Sequence, residues 1–173
     1  MACSVSNGRV LPCKSSVGGI KAIYVSDYNS AITALTPVNG VVTLAGTETF
    51  YKYEVKGGTN LDTAINSSRD TGTTFYSSTL NVSLTYLDAA TQEEIKLLAA
   101  GRLHVVVEDY NGNAFLLGKS VGAEVTGGTI VTGTNFGDAS GFTLTISADD
   151  PSAPYFLAAA PSDSSSAPIN PTA

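Results

Sequence analysis

The side chains able to do chemistry are few in this chain, and their spacing narrows what they can do. The single histidine, His104, lies inside the run Leu103-His104-Val105-Val106-Val107. A Ser-His-Asp triad needs a histidine oriented by an acid beside an activated serine. His104 is the only imidazole on offer, and its Val-rich setting reads as a packed strand with a hydrogen-bonded ring. No Gly-x-Ser-x-Gly elbow, Walker A loop or Gly-x-Gly-x-x-Gly turn is present. Cys3 and Cys13 stand too far apart for a Cys-x-x-Cys redox or zinc pair. They are expected as two reduced thiols, with a Cys3–Cys13 loop as the alternative in an oxidising setting. Glu108-Asp109 and Asp138 offer oxygen ligands without the spacing of an EF-hand; Asp and Asn side chains that cap turns account for both. The triplets Asn66-Ser67-Ser68 and Asn81-Val82-Ser83 match the glycosylation pattern. The N-terminal residues lack a basic stretch followed by an apolar run, so no secretory signal is expected. No catalytic residue, cofactor or metal is expected, and the chain does not read as an enzyme.

The elements around these residues must come from an unusual composition. Of 173 residues 43% are apolar and only 14% charged, against about 25% charged in ordinary domains. Ser, Thr, Gly and Asn take the place of the missing charge. A disordered acidic chain would lack the apolar residues, and a coiled coil would be rich in Glu, Lys and Arg. Low charge with abundant Thr and Tyr suits a surface covered by copies of the same chain. The net charge is −6. From Leu103 onward seven acids (Glu108, Asp109, Glu124, Asp138, Asp149, Asp150, Asp163) face one base, Lys119. Nucleic-acid binders carry the opposite sign. No apolar stretch reaches the ~18 residues of a membrane span.

Period-two alternation predicts strands at 20–25, 41–44, 50–55, 103–108, 114–117, 121–125 and 141–146. The longest runs from Phe75 to Tyr86, with Tyr76, Leu80, Val82, Leu84 and Tyr86 on one face. Residues 61–65 are its antiparallel partner, so 61–86 reads as a long protruding hairpin whose connection holds Arg69 and Asp70. Thr91-Gln92-Glu93-Glu94 predicts a capping box opening a short helix over 91–100, closed by a left-handed cap at Gly101. Asn111-Gly112 predicts a tight hairpin with both residues at positive φ. Residues 126–140, rich in Gly and Thr, read as a connection. The fold expected is mainly β, an antiparallel β-sandwich or barrel with one short flanking helix. A single domain over 1–157 begins with an arm at 1–19 and is followed by an Ala/Pro/Ser tail at 158–173.

The stretch Gly101-Arg102-Leu103-His104-Val105-Val106-Val107-Glu108-Asp109, then Asn111-Gly112, Phe115-Leu116-Leu117-Gly118 and Gly141-Phe142-Thr143-Leu144-Thr145, resembles small virion structural proteins of tailed bacteriophages, particularly phages of Bacteroidetes-type hosts. The order of long strands, one short helix and more strands is similar to tail tube proteins. That resemblance implies hexameric rings, joined sheet edge to sheet edge and stacked into a hollow cylinder through which DNA is ejected. It implies self-association and contact with other virion tail proteins, DNA passing without specific binding, and a place in the phage tail after synthesis in the host cytoplasm. The hairpin residues Leu61, Ile65, Arg69, Asp70, Phe75, Tyr76, Leu80 and Val82 would then pair subunits and line the lumen, although the Phe75–Tyr86 strand itself carries few acids. Two other readings stay open. One is a different virion part: a head–tail connector, a tail terminator or a capsid decoration protein. The other is a glycan-binding adhesin-like sandwich, with Tyr28, Tyr51, Tyr53, Tyr76 and Tyr110 as stacking platforms.

Overall fold

The computed structural model describes residues 7–55 and 57–171, so Cys3 lies outside the described residues. The elements in chain order are β1 (Ile20–Asp27), α1 (Ser30–Ala34), β2 (Val41–Val42), β3 (Tyr51–Glu54), β4 (Asn60–Ser68), β5 (Thr73–Thr85), α2 (Ala89–Ala100), β6 (Leu103–Asp109), β7 (Ala114–Leu117), β8 (Glu124–Val131), β9 (Gly141–Asp150) and β10 (Tyr155–Leu157). They make two open sheets, ordered β2-β10-β7-β6-β1-β3 and β4-β5-β9-β8. The sheets pack as a β-sandwich and neither closes into a barrel. All neighbours pair antiparallel except β10 with β2.

Alternation along β5 puts Leu80 and Val82 inward, where they meet Leu144 and Ile146 of β9 and the inner residues Ile23, Val25, Val105, Val107 and Leu117 of the larger sheet. The larger sheet is also apolar on its other side. There Ala22, Tyr24, Val106 and Leu116 lie under Ile32 of α1, Val42, Phe50 and Leu157. A strand buried on both faces has no polar side to show, which is why β1 and β6 read as near-continuous apolar runs. The start of the Ala/Pro/Ser tail completes this second layer: Ala160 packs against it, and the Ser164 amide donates to the Phe50 carbonyl (2.8 Å).

Several local expectations are corrected. The helix starts at Ala89 with Asp88 as its cap; the Asp88 carboxylate accepts from the Thr91 amide (3.0 Å) and hydroxyl (3.2 Å). A carboxylate at the positive end of a helix outcompetes a neutral hydroxyl, so Thr91 donates to the cap instead of being it. Gly101 sits at φ −97°, extended and not left-handed. Only Gly112 of the Asn-Gly pair has positive φ (82°). The Asp109 amide bonds the Asn113 carbonyl (2.9 Å) across a three-residue loop closed by that glycine. Residues 126–131 are strand, not connection, while 121–122 are not strand. In β8 the hydroxyls of Thr126 and Thr129 bond those of Ser147 and Thr143 (3.2 and 2.6 Å) across the pair. Gly128 lets the backbones approach; a Cβ there would stand 2.5 Å from the Thr143 oxygen. A second helix, α1, capped by Asn29, was not predicted, being only five residues long.

Candidate self-assembly surfaces

The hairpin is built as its alternation requires. β4 and β5 pair from Asn60↔Asn81 to Ser68↔Thr73, and β5 outruns its other partner, β9, whose last pair is Tyr76↔Asp150. The end of the hairpin, 66–75, is therefore paired only with itself and stands beyond the body. Of the expected contact residues, Ile65 is 68% and Phe75 43% exposed, while Arg69 and Asp70 occupy the turn. Leu61 and Tyr76 are half-buried. Leu80 and Val82 are 0% and 1% exposed and belong to the core between the sheets; they hold the hairpin in place and offer no surface.

The four-stranded sheet ends on two long strands, β4 and β8, each with one side unpaired. A free strand edge is a template for another strand and is usually blunted by lysine, proline or brevity. Neither edge carries lysine or proline, and each has one acid, Asp62 or Glu124. The sheet's outer face is a field of hydroxyls and amides: Ser77, Thr79, Asn81, Ser83, Thr143, Thr145 and Ser147. Thr145 donates to Asn81 (3.2 Å), which donates to Asn60 (3.4 Å). No Lys or Arg lies on the outward positions of its four strands.

The two flanks of the sandwich differ. On the β8 side α2 lies over the inner face, with Ile95 and Leu98 against the core. On the β4 side no helix among the described residues lies over the inner face. A cleft of about 530 Å³ opens there, lined mainly by Leu61, Thr63, Ile65, Tyr76, Phe115 and Pro154. The arm enters beside it, with the Val17 amide and carbonyl both held by Asn111 (3.0 and 2.6 Å).

The groups considered for chemistry have structural employment. His104 is fully buried, with Nδ1 2.9 Å from the Gly118 carbonyl and Nε2 3.2 Å from that of Asn29. It stacks on Tyr28 (4.8 Å), itself under the Arg102 guanidinium (3.7 Å), and burial lowers its pKa. No carboxylate contacts the ring. Glu108 accepts from Lys21 (2.7 Å) and Tyr24 (2.9 Å); the Lys21 bond keeps its carboxyl below the usual range, while burial followed by the Glu108 bond pushes Tyr24 up to about 12. Asp109 accepts from the amides of Asn111 and Asn113 (2.9 and 2.7 Å), and Asp138 from those of Thr134 and Asn135 (2.8 and 2.7 Å), so both are turn caps. Among the described residues no three His, Cys, Asp or Glu converge as metal ligands, and no helix is long and apolar enough to cross a membrane. The five tyrosines do not form one platform: Tyr28 lies on His104, Tyr53 packs on the core and is pushed to about 12 by burial, and Tyr76 lines the cleft. Tyr51 and Tyr110 are separately exposed. The open edges were not singled out from sequence; the Gly/Thr composition of 126–131 concealed one of them.

Fold and surfaces together define a two-sheet β-sandwich with open strand edges. No family model, curated protein or solved structure matches the chain.

Proposed function

We propose that this chain is a non-enzymatic structural subunit that joins copies of itself into rings, and that the rings stack as the tail tube of a bacteriophage, a conduit for DNA ejection. One observation carries the reading: the two free edges of the four-stranded sheet run in opposite directions. Four successive antiparallel strands leave β4 and β8 antiparallel to each other. When identical copies are arranged around an axis, β8 of one therefore meets β4 of the next in antiparallel sense, and the sheet continues without reversal. Such a heterologous contact closes into a ring and removes both edges. Their lengths match, eight residues against nine.

The continued sheet presents its hydroxyl and amide face, which has no outward Lys or Arg. A wall without fixed cations gives phosphates nothing to bind and DNA little to stick to. The self-paired hairpin end, projecting along the strand direction, suits contact with the next ring.

Electron microscopy of the purified protein at rising concentration tests the reading. Rings or tubes are expected, and their loss in an Ala64→Lys/Asn66→Lys variant, which places two charges on the exposed β4 edge. A protein that stays monomeric at high concentration overturns the proposal. Rings present at only about one set per virion would assign it to a connector in place of the shaft.

A further inference from the structure

We propose that residues 158–165 are an edge guard: they strap the outer edge of β3, and when they are displaced β3 of one copy pairs with β3 of a second copy about a two-fold axis. The inference goes beyond the ring reading and does not rest on it, because it concerns the other sheet.

The two sheets differ at their margins. Both end strands of the four-stranded sheet are long and unpaired on their outer sides. Both ends of the six-stranded sheet are closed. β2 is two residues long, and Val38 occupies its outer side through two hydrogen bonds with Val41 (2.8 and 3.0 Å). At the other end the amides of Phe50 and Lys52 point to the outer side of β3, where the tail takes them. Ser164 Oγ accepts from the Phe50 amide (3.2 Å) and Asp163 Oδ1 from the Lys52 amide (3.3 Å), while the Ser164 amide donates to the Phe50 carbonyl (2.8 Å). Side-chain oxygens stand in for strand carbonyls, so the segment closes the edge without becoming a strand and presents no new edge of its own.

The guard is lightly held. The Ala158 amide bonds the Val42 carbonyl (3.0 Å) and Ala160 packs on the second apolar layer. Beyond them Ser162, Asp163 and Ser164 are exposed, so hydrogen bonds and not burial hold this part down. Such bonds exchange readily with bonds to water.

The edge beneath is complementary to itself. Lys52 and Glu54 lie two residues apart, so both turn their backbone donors and acceptors to the same side. Antiparallel pairing of two copies about Tyr53 sets Lys52 opposite Glu54 twice, once on each side of the axis. The neighbouring registers set Lys52 against Lys52 or Glu54 against Glu54, which repel. Lys52 is bonded to Glu54 within the subunit (2.8 Å) and Lys21 beside them to Glu108 (2.7 Å), so these four charges cancel and two such edges approach without net repulsion. The occupant that meets both the hydrogen-bond pattern and the charge order is a second copy of this chain. With the guard in place, pairing between copies is left to β4 and β8.

The test is made in the full chain carrying Ala64→Lys/Asn66→Lys, so that the β4 edge takes no part. Asp163→Gly/Ser164→Pro removes all three guard bonds and leaves Ala160 in place. Hydrogen exchange read by NMR should quicken about tenfold at the Phe50 and Lys52 amides, and stay unchanged at Tyr51 and Tyr53, which pair on the β1 side. Sedimentation velocity should show dimers forming as concentration rises, where the guarded chain stays monomeric. Adding Lys52→Glu should raise the dimer dissociation constant about tenfold, and Glu54→Lys on top of it should restore dimerisation. Deletion of residues 161–173 should reproduce the exchange and the dimer. Unchanged exchange at Phe50 and Lys52, a variant as monomeric as the guarded chain, or a dimer indifferent to Lys52→Glu overturns the inference. Rings are sought in the chain with its native β4 edge and guard, so their absence there counts against the ring reading alone.

Discussion

Replacing His104 by leucine separates a structural imidazole from a reactive one. In the neutral ring one nitrogen carries a proton and donates to one of the two facing carbonyls, Gly118 at 2.9 Å from Nδ1 or Asn29 at 3.2 Å from Nε2. Leucine fills much of the volume but donates nothing. The Gly118 carbonyl keeps its bond from the Gly122 amide (3.0 Å), so what is lost is one hydrogen bond, about 0.5–1.5 kcal/mol, and the stacking on Tyr28, about 0.5–1.5 kcal/mol. A loss of about 1–3 kcal/mol is expected in urea unfolding at pH 7.5, below the assembly concentration. The wild type should also show a pH dependence that the variant lacks. Burial holds the folded pKa below the ordinary 6.5, so the unfolded chain takes up its proton first as the pH falls. Stability is therefore full above that value and declines as pH drops from about 6.5 toward the folded pKa, with a slope of at most about 1.4 kcal/mol per pH unit. His104 is the chain's one histidine, which makes the slope between pH 7 and 5.5 attributable to it. A variant within about 0.5 kcal/mol of wild type, or one that keeps the wild-type slope, would refute the reasoning.

Two further substitutions test the local corrections by the same unfolding assay. Asp88→Ala should cost about 1 kcal/mol and Thr91→Ala distinctly less; the reverse order would restore Thr91 as the cap. Gly118→Ala should cost more than about 2 kcal/mol, because Gly118 has φ 69° and an added Cβ would lie 2.5 Å from the Ala123 nitrogen; a neutral outcome would mean that the 118–122 turn relaxes freely.

The parts of the fold legible in sequence are those where one residue's environment repeats every second position. β5 announces itself because Leu80 and Val82 face a core while Thr79 and Asn81 face water. β6 is legible for the opposite reason, burial on both faces. The second half of β8 was not, since its evidence is a close backbone approach at Gly128 and hydroxyl ladders from Thr126 and Thr129, and Gly and Thr are equally common in loops. The helix was placed two residues late and its cap three, because a capping box at Thr91 and a cap at Asp88 look alike in one dimension.

For the candidate surfaces the division is sharper. Sequence alone determined that charge is scarce and acid-heavy after Leu103, and that a long hairpin runs from about 61 to 86. It could not determine that Leu80 and Val82 belong to the core while Ile65 and Phe75 are exposed, because alternation gives the two faces of a strand without saying how far a partner sheet extends. Nor could it reveal that β4 and β8 are the free edges. An edge is defined by the absence of a neighbour, and neighbours are chosen by the order in which four strands assemble. That order, and the cleft left under β4, were decided only by tertiary structure.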